Sequence, residues 1–324
     1  DSETKFVITS ADLENTIAYN GEKLLIENIL SLPDLNIELP KINKEDKFVL
    51  LYTSGSTGMP KGVELLHKNL TNYIVYYKEY WEFSEETKCL AYASFGFDVH
   101  MSEVYSTFIS GGTVFVASDE MKLNIVDLHK YLLENKINFL FTATQFMKQY
   151  ATMFPDNPYI KKFFAGGEKL PNIKPPNYNI YNAYGPSECT VFMTAFLVEK
   201  DLNFIPIGHT LGNNTSYIVD KYERLLPVGA SGELYIAGAQ VGKGYLKRDD
   251  LNKDKFIDNP YDTEFEKLYK SGDICRFLPD GNIDIIGRKD FQVKIRGFRI
   301  ELTEIENKIL EYEDIKDATV IAKD

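Results

Sequence analysis

The chain has 324 residues, is 44% hydrophobic and carries a formal net charge of −12, so it is long enough for two domains or for one large domain and a fragment. The acidic balance argues against nucleic acid or an anionic membrane as the main partner, because both attract basic patches. No apolar run reaches the roughly 18 residues of a membrane span. Its 3 cysteines lie far apart without metal spacing, which predicts reduced thiols. We expect a cytoplasmic protein, and the missing first Met indicates a piece of a longer one.

The first half of the chain predicts an α/β domain. A strand is expected at residues 5–9 and an apolar stretch at 24–30, before a polar connector. From residue 47 onward, apolar runs alternate with helical periods, which predicts a largely parallel sheet with helices on both faces. Ligands in such sheets lie at the carboxyl ends of the strands. The expected strands are 89–92, 113–117, 138–142, 162–165 and 179–183. One helix is expected to begin near His67, and three more are expected at 102–109, 125–135 and 145–153.

Beyond about residue 196 the pattern changes to short strands separated by turn residues. The turn Pro279-Asp280-Gly281-Asn282 is a strong hairpin signal. This pattern predicts a small antiparallel or barrel-like unit at about 197–289. A last strand at 291–295 leads to a helix for which Thr303 and Glu306 form a capping box. The expected strands of the unit are 217–220, 232–238, 268–270, 274–278 and 283–286.

The stretch LYTSGSTGMPKG at residues 51–62 has the composition of a phosphate loop. Glycines let the backbone approach an oxyanion, hydroxyls add donors, and Lys61 supplies a positive charge. A Walker A loop is excluded because Gly62, not a hydroxyl residue, follows Lys61 and because the next helix begins only near His67. A flexible Gly/Ser surface loop remains as the alternative.

A second candidate motif, NAYGPSE, follows the expected strand 179–183. A carboxylate near a phosphate loop is stable there only with a divalent cation between the two anions. This reasoning makes Glu188 a candidate metal ligand. Taken alone, the motif would be a Gly-Pro turn with an exposed glutamate.

The first of these motifs resembles the signature of the adenylate-forming enzymes, which include acyl-CoA ligases, luciferases and adenylation domains of nonribosomal peptide synthetases. Further blocks match in order: NAYGPSE, YKSGD at 269–273, GRKD at 287–290, QVKIRG at 292–297, and the segment 232–246. The resemblance implies a large domain over 1–289, whose N-terminal part lies before residue 1, and the start of a small domain over 290–324. It also implies a late catalytic lysine beyond residue 324, so the chain alone is expected to be weakly active.

The resemblance also implies a role for individual residues. It makes Asp290 the hinge between the domains and Glu188 the Mg²⁺ ligand. Tyr184 would stack on adenine, Asn182 would meet its exocyclic amine, and Asp273 would accept the ribose hydroxyls. The implied catalytic residues are Lys61, Glu188, Thr190 and Lys294. The implied ATP-binding residues are Thr53, Ser54, Gly55, Ser56, Thr57, Gly58, Asn182, Ala183, Tyr184, Gly185, Ser187, Asp273 and Arg288.

Two further features favour the peptide-synthetase branch. The stretch Gly166-Gly167-Glu168 resembles the corresponding stretch of that branch. Phe97-Asp98 stands where amino-acid-activating members pair an aspartate with the substrate's α-ammonium. The implied reaction is formation of an aminoacyl adenylate from ATP, followed by transfer to the phosphopantetheine thiol of a peptidyl carrier domain beside neighbouring synthetase domains. The alternatives are a stand-alone D-alanine-type carrier-protein ligase, an acyl- or aryl-CoA ligase, and a non-catalytic nucleotide-binding module.

The residues expected around the substrate side chain include neither an acid nor a base. A buried, unpaired substrate charge would cost several kcal/mol, so we expect a small or medium neutral amino acid. Ser102 stands where many relatives have a bulky residue, so it could admit a larger side chain. The expected substrate-binding residues are Asp98, Val99, Ser102, Phe141, Phe163, Ala165, Gly166, Val191 and Phe192.

Overall fold

The computed structural model describes residues 2–33, 37–55, 60–290, 292–295, 298–310, 312, 315 and 317–323, with the backbone only at residue 303. Residues 1–44 and 45–324 form two compact units. No helix in the described ranges is both long and apolar enough to cross a membrane.

The first unit is a small parallel strand pair. Strand β1 (Phe6–Thr9) pairs with β2 (Glu22–Leu25), which continues directly into helix α1 (Ile26–Leu30). The Lys23 ammonium donates to the carbonyl oxygens of Glu14 and Ile17 at 2.7 and 2.8 Å, and this closes the connection between the strands. The predicted strand at 5–9 is confirmed.

The second unit begins with alternating strands and helices, as predicted. The helices α5 and α6 match their expected ranges to within one residue, because their apolar positions recur at helical spacing. The elements are β3 (Lys47–Thr53), β4 (Lys61–Leu66), α2 (His67–Tyr80), β5 (Lys88–Ala91), α3 (His100–Phe108), β6 (Thr113–Val116), α4 (Asp119–Leu123), α5 (Ile125–Asn135), β7 (Phe139–Ala143), α6 (Thr144–Met153), β8 (Lys162–Gly166) and β9 (Asn179–Tyr184).

A single 3-10 turn, Ser187–Cys189, then leads into a β-rich region. Most of its strands are short, as predicted, except β16. The elements are β10 (Thr194–Leu197), β11 (His209–Thr210), β12 (Asn214–Val219), β13 (Gly232–Gly238), β14 (Gly244–Tyr245), α7 (Asp249–Lys255), β15 (Phe256–Asp258), β16 (Lys267–Phe277), β17 (Ile283–Arg288), β18 (Gln292–Ile295), β19 (Phe298–Glu301) and α8 (Leu302–Leu310).

The largest sheet has 7 strands in the order β11-β10-β9-β8-β7-β5-β6. Strands β9, β8, β7, β5 and β6 are parallel, and β10 and β11 are antiparallel additions at one edge. The predicted largely parallel sheet is therefore confirmed. Its two faces carry separate apolar cores, one formed with α2 and α3 and the other with α5 and α6.

The phosphate-loop stretch lies between two antiparallel strands. Strands β3, β4 and β14 form a sheet of their own, in which Thr53 pairs with Lys61. Strand β4 was not predicted from the sequence, because a lysine, a glycine and a glutamate interrupt its apolar residues. All 6 of its residues are nevertheless buried. The loop thus connects a hairpin rather than a strand and a helix.

The β-rich region is antiparallel throughout its main sheet, β12-β13-β16-β15, with β17 paired to β16. The two strands predicted at 268–270 and 274–278 are one strand, β16, with a register shift between Ile274 and Cys275. Since an irregularity interrupts the alternating pattern, the sequence alone indicates two strands. The predicted hairpin turn between β16 and β17 is confirmed, with Gly281 at φ 84°.

The last elements are the β18–β19 hairpin and α8. The strand predicted at 291–295 is confirmed from Gln292 onward; Phe291 lies outside the described residues. The predicted capping box cannot be followed at the Thr303 side chain, which also lies outside them. The Glu306 carboxylate accepts a hydrogen bond from the Val320 amide at 2.8 Å.

Candidate active site

A cavity lies at the carboxyl ends of β8 and β9, where the sheet topology predicts ligand binding. Strands β16, β17 and β18 supply its opposite wall. The structure thus brings together residues from four of the matched motifs, which span more than a hundred positions of sequence. Its lining includes the predicted ATP-binding residues Asn182, Ala183, Tyr184, Gly185, Asp273 and Arg288, together with Lys294.

The carboxylate of Asp273, the residue expected to bind the ribose, is held from two sides. The Tyr184 hydroxyl donates to its Oδ2 at 2.5 Å, and the Arg288 guanidinium donates to its Oδ1 at 2.8 Å. Arg288 also forms a two-pronged pair with Asp290, at 2.7 and 2.6 Å. Each carboxylate oxygen of Asp273 keeps a second lone pair, so it can still accept a hydroxyl.

Asn182 has a defined orientation in the cavity wall. Its side-chain nitrogen donates to the Pro206 carbonyl oxygen at 2.8 Å, which leaves the side-chain carbonyl oxygen as an acceptor. An exocyclic amine is a donor and complements this oxygen. Gly185 must be a glycine here, because a Cβ would lie 2.0 Å from the Val191 carbonyl oxygen.

Glu188 is completely buried and ion-paired. Its Oε1 accepts from the Tyr245 hydroxyl at 2.6 Å and from Arg299 at 2.9 Å, and it lies 3.5 Å from the Lys61 ammonium. Burial alone would raise the pKa of Glu188, but Arg299 and Lys61 together hold it well below its usual range. The carboxylate is therefore ionised at all physiological pH values.

Lys61 is 6% exposed and shares this cluster. Burial lowers its pKa to about 8, and the charge of Glu188 opposes that effect. The Lys61 ammonium also donates to the Tyr245 hydroxyl at 3.1 Å and lies 4.6 Å from the ring centroid. Tyr245 thus links the predicted lysine and the predicted glutamate.

A Mg²⁺ ion fits one free atom of this cluster. The Oε2 atom of Glu188 is buried and has no hydrogen-bond partner among the described residues. The described side chains form no group of three or more His, Cys, Asp or Glu suited to a metal. Mg²⁺ commonly takes one or two carboxylates and completes its shell with water and phosphate, so a single free carboxylate oxygen is compatible with it.

The start of the phosphate loop lies beside the same cluster. The Ser54 hydroxyl donates to the Arg299 carbonyl oxygen at 2.7 Å, and the buried Thr53 hydroxyl has no partner within the described structure. Gly55 is buried. The predicted binding residues Ser56, Thr57 and Gly58 lie outside the described residues.

The loop that carries Asp98 is anchored by a buried carboxylate. Glu103 accepts the amide hydrogens of Tyr92 at 3.2 Å and of Ala93 at 3.1 and 3.3 Å. Burial raises the pKa of Glu103 to about 8. Burial also raises the pKa of Asp98, and a hydrogen bond with Ser187 opposes the shift. Asp98 therefore adjoins the motif that lines the cavity.

The predicted substrate residues divide between the two faces of the large sheet. Phe141 and Phe192 pack at a ring-centroid distance of 5.3 Å, in the same core as Val99 and Val191. Phe163 and Ala165 belong to the opposite core, where Phe163 contacts Tyr150 and Tyr178.

The structure thus separates Phe163 and Ala165 from the other predicted pocket residues. Side chains alternate along β8, and it is Phe164 that faces the core of Phe192, at 6.3 Å. Gly166 lies against β9, where a Cβ would come within 2.6 Å of the Ala183 carbonyl oxygen.

Thr190, predicted as catalytic, does not line the cavity. It is completely buried, and its hydroxyl donates to the Gln240 carbonyl oxygen at 2.7 Å. The Gln240 amide donates in return to the carbonyl oxygens of Thr190 and Phe192 at 3.0 and 2.9 Å. Thr190 and Val191 have φ of 54° and 69°, so these bonds hold an unusual turn. The structure thus gives Thr190 a supporting position.

Sequence reasoning missed Arg299 and Tyr245 as members of the site. Tyr245 belongs to a block that looks like scaffold, and Arg299 follows the last matched block. One pattern in the sequence could have identified Arg299. Arg299 and Glu301 are two positions apart, so in a strand both side chains lie on the same face. In the structure these two side chains lie 3.7 Å apart.

The layered sheet with this cavity is typical of a nucleotide-binding α/β protein. More narrowly, a family model described as "AMP-binding enzyme" matches residues 1–246. The chain therefore belongs to the AMP-binding enzyme family.

The chain is also similar to several synthases. Bacitracin synthase 1 of Bacillus licheniformis is 38% identical over 326 residues, covering 100% of this chain and 6% of that protein. Tyrocidine synthase 2 of Brevibacillus parabrevis is 35% identical over 336 residues, covering 99% of this chain and 9% of that protein. The chain thus spans a small part of the length of these relatives. The predicted resemblance to the peptide-synthetase branch is confirmed.

Solved structures agree in fold. NpsA-ThdA, an artificially fused adenylation–PCP di-domain from Klebsiella oxytoca, superposes with a TM-score of 0.82 at 21% identity, over 97% of this chain and 65% of that one. A four-domain nonribosomal peptide synthetase bound to AMP and glycine superposes with a TM-score of 0.76 at 29% identity, over 100% of this chain and 24% of that one. The predicted α/β fold class is confirmed.

Proposed function

We propose that this chain activates an amino acid with ATP, forming an aminoacyl adenylate and releasing pyrophosphate. One observation carries the proposal. Asp98, the expected partner of the substrate ammonium, lies close enough to Ser187 for that side chain to oppose the rise of its pKa, and Ser187 belongs to the same motif as Asn182, Tyr184 and Gly185, which line the cavity. An amino acid held at Asp98 would therefore present its carboxylate beside the bound nucleotide.

The cavity suits adenosine. Tyr184 offers a ring for stacking, the Asn182 carbonyl oxygen can accept the exocyclic amine, and Asp273 can accept the ribose hydroxyls. Arg288 holds Asp273 in place and adds positive charge near the ribose or phosphate. Lys294 lines the same cavity, 5.7 Å from the Tyr184 ring centroid.

The residues around Glu188 would act on the phosphates. In the first half-reaction a carboxylate oxygen of the amino acid attacks the α-phosphorus, and the bond to the bridging oxygen of pyrophosphate breaks. Lys61 and Ser187 would bind phosphate oxygens and orient this attack. Glu188 would hold Mg²⁺ through its free Oε2; the ion supplies neutralisation of the developing phosphate charge.

The second half-reaction would use a carrier-protein thiol. The phosphopantetheine sulfur attacks the acyl carbon, the acyl–oxygen bond to AMP breaks, and AMP leaves. The proposed partners are a peptidyl carrier domain and neighbouring synthetase domains, in the cytoplasm where ATP is available. We further propose a domain boundary after residue 289, with Asp290 as the hinge.

The proposed substrate is an amino acid with a small or medium neutral side chain. The support is the lining of the pocket face, where Val99, Ser102, Phe141, Val191 and Phe192 offer no charge. An ionised substrate side chain would lose its hydration there without gaining a partner.

Asp98→Ala tests the proposal. Removing the carboxylate strands the substrate ammonium, so amino-acid-dependent pyrophosphate exchange should fall by at least ~100-fold, as expected for a charged partner in a buried site. ATP binding, measured by calorimetry, should be unchanged. Asp119→Ala, at a side chain that is 94% exposed, is the matched control.

A panel of all common amino acids, assayed with the wild-type protein, completes the test. Exchange with neutral amino acids supports the proposal. A response to fatty or aryl acids alone would instead identify an acyl- or aryl-CoA ligase, and a response to charged amino acids alone would contradict the proposed substrate class.

A further inference from the structure

Tyr73 on α2 lies against the predicted substrate pocket, although no motif singles it out. Its hydroxyl and the Ser102 hydroxyl form a hydrogen bond of 2.6 Å. Its ring meets Phe192 edge-on at a centroid distance of 6.4 Å. Burial raises the pKa of Tyr73, and the nearby charge of Asp98 adds to that effect. The phenol thus contacts two predicted pocket residues, Ser102 and Phe192, and senses the charge of a third, Asp98.

The phenol is held rigidly. Tyr73 and Ser102 are 2% and 1% exposed, so water is excluded from the hydrogen bond between their hydroxyls. The ring of Tyr77 stacks on Tyr73 at a centroid distance of 5.0 Å. Rotating the phenol away would leave two buried hydroxyls unpaired and break the stack, which is unfavourable.

This arrangement changes what the small residue at position 102 implies. By itself, a serine there would leave room for a larger substrate side chain. In the structure the Tyr73 hydroxyl lies at hydrogen-bond distance from Ser102 and occupies that room. A size limit at this position would therefore come from helix α2 and not from residue 102 on α3.

We propose that Tyr73 is a specificity-determining residue, whose phenol closes the far end of the amino-acid pocket and sets the largest side chain that is accepted. The inference rests on the proposed function and assigns to that site a residue from outside the predicted pocket. With the phenol in place, side chains of the size of Ala, Ser or Val are accepted and those of Leu, Met or Phe are refused.

The test compares Tyr73→Ala and Tyr73→Leu with Tyr73→Phe in the full protein, by pyrophosphate exchange over a panel of amino acids. The ratio of kcat/KM for large to small apolar amino acids should rise at least ~10-fold in the Ala and Leu variants, since one methylene changes selectivity by ~10–200-fold. Tyr73→Phe keeps the ring and should shift this ratio less than ~3-fold. The KM for ATP should not change in any of them.

The Leu variant keeps the core filled if the Ala variant does not fold. An unchanged size preference in a folded Ala or Leu variant would overturn the inference and leave the proposed function standing. If the wild-type protein shows exchange with no amino acid, both fail. A size shift in Tyr73→Phe as large as in Tyr73→Leu would also overturn it, because the ring would then not be the limit.

Discussion

At the scale of single residues, the two carboxylate oxygens of Glu188 have different environments. Its Oε1 pairs with Arg299 and Lys61 inside the protein, whereas its Oε2 is free for a metal. Removing one member of a buried ion pair is costly because the remaining charge loses its partner. A substitution at Glu188 is therefore expected to lower stability as well as activity.

Glu188→Gln should lower pyrophosphate exchange by ~100-fold or more through loss of the proposed Mg²⁺ ligand, and should destabilise the fold by ~3–5 kcal/mol. The double variant Glu188→Gln, Arg299→Gln removes both charges and should recover part of that stability without recovering exchange. Urea unfolding and exchange assays on the two single variants and the double variant separate these effects. Recovery of exchange in the double variant would show that Glu188 acts only by balancing charge.

The buried carboxyl group of Glu103 should make the stability of the fold depend on pH. Its pKa is raised from 4.5 to about 8, so between these values the folded state holds a proton that the unfolded state has released. Stability should therefore fall as pH rises from 5 to 8 and then level off. At ~1.4 kcal/mol per pKa unit, the decline attributable to Glu103 is a few kcal/mol.

Glu103→Gln should flatten this decline, because glutamine does not titrate. Denaturant unfolding at several pH values between 5 and 8, with Glu120→Gln as an exposed control on α4, measures it. Parallel curves for the wild type and Glu103→Gln would contradict the assignment.

At the scale of elements, the β18–β19 hairpin connects the last part of the chain to the site. Arg299 reaches Glu188 through its side chain and Ser54 through its carbonyl oxygen. Phe298 meets Phe97, next to Asp98, at a ring-centroid distance of 5.0 Å. The hairpin thus contacts the Gly/Ser-rich loop at Ser54, the buried carboxylate of Glu188 and the loop that carries Asp98.

Ser54→Ala removes one of these contacts. A single hydrogen bond contributes about 0.5–1.5 kcal/mol, so global stability should change by no more than that. Amide hydrogen exchange of the hairpin should become several-fold faster, because the hairpin opens locally more often. Ser31→Ala, which removes an exposed hydroxyl bonded to the Asn28 carbonyl oxygen, should leave the hairpin unchanged. Equal exchange rates in both variants would show that Ser54 does not hold the hairpin.

At the scale of the whole molecule, helices and parallel strands could be predicted well and the pairing of the short strands could not. The spacing of its apolar residues predicts helix α5 directly. Strand β4 cannot be predicted in this way, because Lys61 pairs with Glu188 in the 3-10 turn and Glu64 lies opposite Gly244 of β14, and both partners are far away in sequence. Strand β16 was expected as two strands for a different reason, because an irregularity interrupts its alternating pattern.

The candidate site shows the same division. The motifs that occur in order along the chain identified five residues that share one cavity: Asn182, Tyr184, Asp273, Arg288 and Lys294. The face of a strand on which a residue lies depends on the position and twist of that strand, and a shift of one residue reverses it. That is why Phe163 and Ala165 were assigned to a pocket whose lining they do not join.

The sequence by itself determined the family, the α/β class and most of the named residues that line the cavity, since these depend on motifs and on periodic patterns that are local. Only the tertiary structure decided which residues complete the site. Arg299 meets Glu188 across 111 positions of sequence and Tyr245 meets Lys61 across 184. Tyr73 meets Ser102 across 29. Such contacts depend on how elements pack, and no local pattern of residues carries that information.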